Sequence, residues 1–182
     1  MNKLEIAPHM LYRAAKSYIE AEDDFDYIQA ILLAGAAMYI CEPLLKEQGK
    51  TTQTMERAKR IIELREAGKE MVSNKLEIKW GANPLSREEK KQIIKDTRLV
   101  DRSVYNSLKH AGFFNEKKAS EDLDMTNVLE EYQSFRTAAE DIILDAIQDY
   151  NNLDFNGEFK PYSLPSYVRK VLISGFIGDG FE

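Results

Sequence analysis

The chain has 182 residues, 43% of them hydrophobic and 31% charged, with a net charge of −6. That is long enough for one domain with a core of its own, and no stretch is as poor in apolar residues as a disordered tail. One cysteine, Cys41, excludes an internal disulfide; two histidines beside it exclude a zinc site without heavy carboxylate help.

The charge is uneven. Residues 1–50 carry −3, residues 51–118 carry +6 and residues 119–182 carry −9. Only the middle third suits a polyanion, although helix faces also collect mixed charge simply to stay solvated. "MNKLEIAPHMLYRAAK" has no signal-peptide core. The longest apolar run, residues 30–41, would span only about 18 Å as a helix, too little to cross a bilayer. The expectation is a cytoplasmic protein with no membrane partner.

The first helix is expected from Pro8 to Ala21, with Leu11, Ala14, Ala15, Tyr18 and Ile19 on one apolar stripe. "EAEDDFD" follows. Consecutive carboxylates on a helix diverge, so it reads as a helix N-terminus capped at Asp24 rather than as a cation site. The second helix should run from Phe25 to Gln48 and stop at Gly49. It is apolar nearly all round between Ile31 and Ile40, as befits a central helix, and Pro43 should kink it. A third, more exposed helix is expected from Thr52 to about Val72. "LEIKWGANPL" then breaks the helical pattern with the alternation of Leu76, Ile78 and Trp80, a short extended piece before a turn.

Ser86 and Glu89 form a capping box that opens a helix running to Gly112, with a break near Asp96–Thr97. "FFNEKKASEDLD" is a polar loop. The last long helix, Met125 to Asn151, keeps helical spacing from Leu129 through Tyr150. Beyond it, residues 153–182 form an appendage to a bundle of residues 1–152. Its one short helix, capped by Ser163 or Ser166, packs on the bundle or a partner, and Phe176, Ile177 and Phe181 are too apolar for a free tail. The fold class expected is all-α: an antiparallel bundle of about five helices with a short C-terminal appendage.

One polar row stands out. Arg102, Asn106 and His110 lie at i, i+4 and i+8, a single slanting stripe on a helix. A guanidinium, a carboxamide and an imidazole together suffice for metal-free RNA cleavage: they can hold a phosphate, orient a hydroxyl and exchange a proton near neutral pH. These three are the candidate catalytic residues, and Arg98, Tyr105 and Lys109 are the candidate nucleic-acid contacts. The plainer alternative is a helix end with a histidine favoured by the helix dipole. Other inventories fail. Neither His9 nor His110 has a glutamate three residues before it, as a di-iron bundle needs, and there is no glycine-rich phosphate loop.

Three segments, in order, resemble the HEPN superfamily of helical bundles, especially a group of small HEPN-like proteins. "LLAGAAMYICEPLLKEQGK" is similar to that group's second helix, "YNSLKH" to its "RNALKH" signature, and "TAAEDIILDAIQDYNNL" to its final helix. The resemblance implies a homodimer whose signature helices face each other, with RNA as a candidate partner; the residue inventory calls for no cofactor or metal. It places the family's histidine on His110 and its polar residue on Asn106. The family's arginine position falls on Tyr105, so the central cation is missing; Arg102, one turn earlier, is its only substitute on the row. The expectation is therefore a dimeric interaction or RNA-binding module without robust catalysis. A metal-independent ribonuclease is the alternative. "IIKDTRLVDRSVYNSLKHAGFF" also resembles a winged helix-turn-helix, with Arg102, Ser103, Tyr105, Asn106 and Lys109 turned to DNA. That reading ranks behind RNA, since the following segment offers little β pattern for a wing.

Overall fold

In the computed structural model the described residues are 2–72, 75–78, 83–109, 129, 134–157 and 159–174. Among the described residues the protein is all-α apart from one two-stranded hairpin. Helices are α1 (Lys3–Ile19), α2 (Asp24–Glu47), α3 (Gln53–Glu66), α4 (Arg87–Asp101), α5 (Ser103–Lys109), α6 (Phe135–Asn151) and α7 (Ser166–Ser174); the strands are β1 (Lys69–Val72) and β2 (Lys75–Ile78). The chain forms two compact units. Residues 52–101 make one, and residues 1–51 with 102–182 make the other.

The larger unit is built on α1, α2 and α6. α1 starts five residues earlier than Pro8, because Asn2 and Glu5 close a reciprocal capping box. Pro8 sits inside this helix and its ring is buried. α2 starts at Asp24 because Asp23, not Asp24, caps it: the Asp23 carboxylate accepts from the N–H groups of Phe25 and Asp26. At the other end Gly49 takes φ 69°, which only glycine adopts cheaply. The N–H of Lys50 then reaches the Leu45 carbonyl and that of Gly49 reaches Lys46, which satisfies two carbonyls the helix end would leave open. Pro43 lies within α2, which continues past it to Glu47.

α2 is the central helix. Ala30, Ala34, Gly35 and Ala37 bring neighbouring helices close, while Ile31, Met38, Cys41 and Leu45 fill the core. Each buried large aliphatic contributes roughly 1.5–3 kcal/mol. α6 supplies Ala138, Ala139, Ile142, Ile143, Ala146, Ile147 and Tyr150; α1 supplies Ala7, Leu11, Ala14 and Ala15. By length and composition α2, at 24 residues, could cross a membrane: one 18-residue window of it has mean hydropathy 1.7, and 44% of that window is buried in the protein. The estimate of about 18 Å taken from residues 30–41 understated its apolar length, because the apolar face extends beyond the uninterrupted run.

The C-terminal segment joins the same core. Leu153, Phe159, Leu164, Val168, Val171 and Leu172 are buried with the bundle residues. The Asn151 amide donates to the Leu172 carbonyl at 2.6 Å, and the Tyr12 and Tyr167 rings meet at 4.7 Å, tilted 54° to each other. The Gln48 carboxamide and the Asp154 backbone exchange two hydrogen bonds, of 2.6 and 2.9 Å.

The smaller unit pairs α3 with α4. α3 ends at Glu66 rather than near Val72, since Gly68 turns to φ 67° and sends the chain into β1. β1 and β2 are antiparallel, with Lys69 opposite Ile78 and Val72 opposite Lys75. Glu66 holds the start of α4: its carboxylate accepts from the Leu85 N–H at 3.1 Å and pairs with Lys90 at 2.8 Å. The Ser86–Glu89 capping box forms as the spacing predicts. α4 runs unbroken through Asp96–Thr97, where the Thr97 hydroxyl bonds back to the Ile93 carbonyl. The break falls at Arg102 instead. Trp80, the 113–124 loop, the Met125 start of the last helix and Phe176, Ile177 and Phe181 lie outside the described residues.

Candidate functional site

α5 is a seven-residue helix, too short to be stable alone, so its position depends on what it packs against. It packs on α2. Tyr105 is 5% exposed, and its ring lies over Gly35, where an added Cβ would overlap it. Burial pushes its phenol above the ordinary value. Position 105 is therefore a core tyrosine wedged against a glycine.

The polar row follows from that docking. Asn106 is 7% exposed, and its carboxamide oxygen accepts from the Tyr39 hydroxyl at 3.2 Å. Arg102 pairs with Glu42 at 2.9 Å, and its guanidinium lies 5.1 Å from the centre of the Tyr39 ring. Burial alone would lower the Arg102 guanidinium; the Glu42 carboxylate overrides it and holds it above its ordinary value. Arg102 Nε is buried without a hydrogen-bond partner. Lys109 is exposed, with its ammonium 5.1 Å from the Tyr39 ring centre and 5.7 Å from that of Tyr105.

The structure thus brings Arg102, Asn106, Tyr105 and Lys109 together around Tyr39. It does not line an open site with them. Asn106 and Tyr105 face the interior, and Arg102 is committed to Glu42. Arg98 is exposed on α4, in the other unit. His110 lies outside the described residues. Tyr39 and Glu42 are the residues that reading α5 alone misses. Their signal was on α2, where they sit three residues apart, one on each side of a helical turn.

Chemically the cluster is a latch. A carboxylate already occupies the guanidinium that a phosphate would need, and the carboxamide already holds a phenol. Among the described residues no three His, Cys, Asp or Glu side chains converge as metal ligands. A groove of about 420 Å³ opens beside α1 and the start of α2, but Arg13 and Lys16 face Glu20, Glu22 and Asp26 there, a mixed charge that selects no ligand. Comparison with protein-family models, with curated proteins and with solved structures finds no match for this chain.

Proposed function

We propose that the chain is a HEPN-like dimeric interaction module without robust catalysis. One observation carries this reading: the two described residues of the 102–110 row are spent on structure, Asn106 on Tyr39 and Arg102 on Glu42. A catalytic row must meet the substrate from a water-accessible or closable site. Here its polar atoms fasten α5 to α2.

The DNA reading asked Tyr105 and Asn106 to point outward, and both are buried. It is not carried further. RNA contact without cleavage keeps some support from Lys109, and from residues 52–101, which hold 12 basic against 9 acidic side chains in an otherwise acidic chain.

The test is incubation of the pure protein with structured RNA in EDTA. The expected outcome is no cleavage above that of a His110→Ala variant. Cleavage that His110→Ala abolishes sinks the reading. Binding of RNA that weakens steeply with salt and without cleavage moves the protein to the RNA-binding side of the same proposal.

A further inference from the structure

Among the described residues α2 keeps one row of exposed apolar side chains, the last of which, Tyr39, is flanked by α5 and still partly open. Its exposed large apolar side chains are Phe25 (76% exposed), Leu32 (37%) and Tyr39 (41%), each seven residues from the next. Seven residues are close to two helical turns, so the three form one stripe that drifts by about 20° per step. Ile28 and Ala36 lie beside the same stripe and are half-buried. Single exposed apolar residues are ordinary; three in heptad register on the most apolar helix of the chain are a seam.

The seam is symmetric about Leu32. Phe25 and Tyr39 stand seven residues on either side of it, and Ile28 and Ala36 four. A second helix of the same sequence, running the opposite way, would set Leu32 against Leu32, Phe25 against Tyr39 and Ile28 against Ala36. The flanking charges are antisymmetric. Glu22, Asp23, Asp24 and Asp26 surround the Phe25 end. At the Tyr39 end Lys109 lies over the ring, and Arg102 is matched by Glu42. Reversing one copy brings the acidic end onto the lysine; keeping the copies parallel brings acid onto acid.

We propose that this seam is covered by a second copy of the chain, with α2 packed antiparallel on α2 and Leu32 of each copy at the two-fold axis. The inference rests on the dimeric reading above, but places α2 rather than the signature helix at the interface. A two-fold contact is self-complementary by construction, which is the property the α2 sequence shows.

Sedimentation of the full chain over a range of concentrations tests it. A dimer is expected, modestly weakened by salt. Leu32→Glu places two carboxylates together at the axis and should weaken self-association by roughly 100-fold or more, with the helical circular dichroism unchanged. Geometry is tested separately by oxidation. Leu32→Cys should cross-link to itself, and a mixture of Ile28→Cys with Ala36→Cys should form the mixed disulfide in preference to either like pair. The buried Cys41 is the one native thiol. A wild-type monomer at all concentrations overturns the proposal. A dimer that survives Leu32→Glu overturns this surface and leaves the dimeric reading standing. So does a mixed disulfide no more abundant than the like pairs. A monomer that co-sediments with phosphatidylglycerol vesicles through Leu32 assigns the face to a lipid surface and overturns it. A monomer whose thermal midpoint falls in Leu32→Glu assigns the face to the chain's own residues and overturns it too. RNA cleavage would defeat the previous proposal without touching this one.

Discussion

The Tyr150 hydroxyl, in the last turn of α6, donates to the backbone carbonyl of Leu4 in the first turn of α1, at 3.3 Å. In a regular helix that carbonyl would accept from the N–H of residue 8, but residue 8 is proline and has none. A side chain 146 positions away supplies the missing donor, and so α1 runs through Pro8 instead of beginning there. Tyr150→Phe leaves the carbonyl without this partner in a partly buried setting and should cost about 1–2 kcal/mol. In a Pro8→Ala background the helix regains its own donor, and the same change should cost about half as much or less. Urea denaturation of the four proteins checks it; equal costs in both backgrounds would show that Tyr150 and the proline gap are unrelated.

Gly35 and Tyr105 make a sharper pair. Alanine in place of glycine within a helix normally stabilises by roughly 1 kcal/mol. Here the new methyl overlaps the Tyr105 ring, and overpacking of this kind costs about 1–3 kcal/mol. Gly35→Ala should therefore destabilise the wild type. In a Tyr105→Ala background it should be neutral or stabilising. Additive effects in the double variant would mean that the ring does not rest on this glycine.

Much of the fold was legible from local chemistry. Thr52, and Gly49 with its positive φ, end or begin helices where their residue types say they should. The misses share a cause. Pro8 read as a boundary because its compensation comes from Tyr150, far along the chain. Gly68 ends α3 early, but strong helix formers on both sides hid it. At the site Arg102 and Asn106 both touch Tyr39, although Arg102 lies at the break just before α5 rather than on one helix with Asn106. Periodicity says which residues share a face. It does not say what that face meets, and here it meets Tyr39 and Glu42 of another helix.

The Arg102–Glu42 pair gives a graded prediction. The side chains are 12% and 24% exposed, between a surface pair worth under about 1 kcal/mol and a sealed one whose breakage costs about 3–5 kcal/mol. Glu42→Gln should cost about 1–2 kcal/mol, because it strands a mostly buried guanidinium. Arg102→Met should cost less, because the methionine keeps the stem's packing on Tyr39 without the charge. Thermal and urea melts decide the order. If Arg102→Met proves the more damaging, the guanidinium contributes something beyond its pairing with Glu42.

Cys41 yields the pH prediction. Burial first, and the charge of Asp149 second, push its thiol from 9.0 up to about 12. The unfolded chain therefore releases this proton more readily than the folded one. The cost of keeping the thiol protonated is absent below about pH 9 and grows as pH rises toward 12, so stability falls across that window by at most about 1.4 kcal/mol per pH unit from this group. Tyr150, also raised by burial, acts in the same direction, so total stability does not isolate the thiol. The difference between wild type and Cys41→Ala does. The variant pays a constant cavity penalty but has nothing to titrate at that position, and its deficit should shrink steadily between pH 8.5 and 10.5 in urea melts. Below pH 8.5 the native thiol should react with an aromatic disulfide reagent only as fast as the protein opens, since reaction requires an accessible thiolate. A deficit that stays constant with pH, together with fast labelling of the folded protein, would place Cys41 at the surface and remove it from the core of α2.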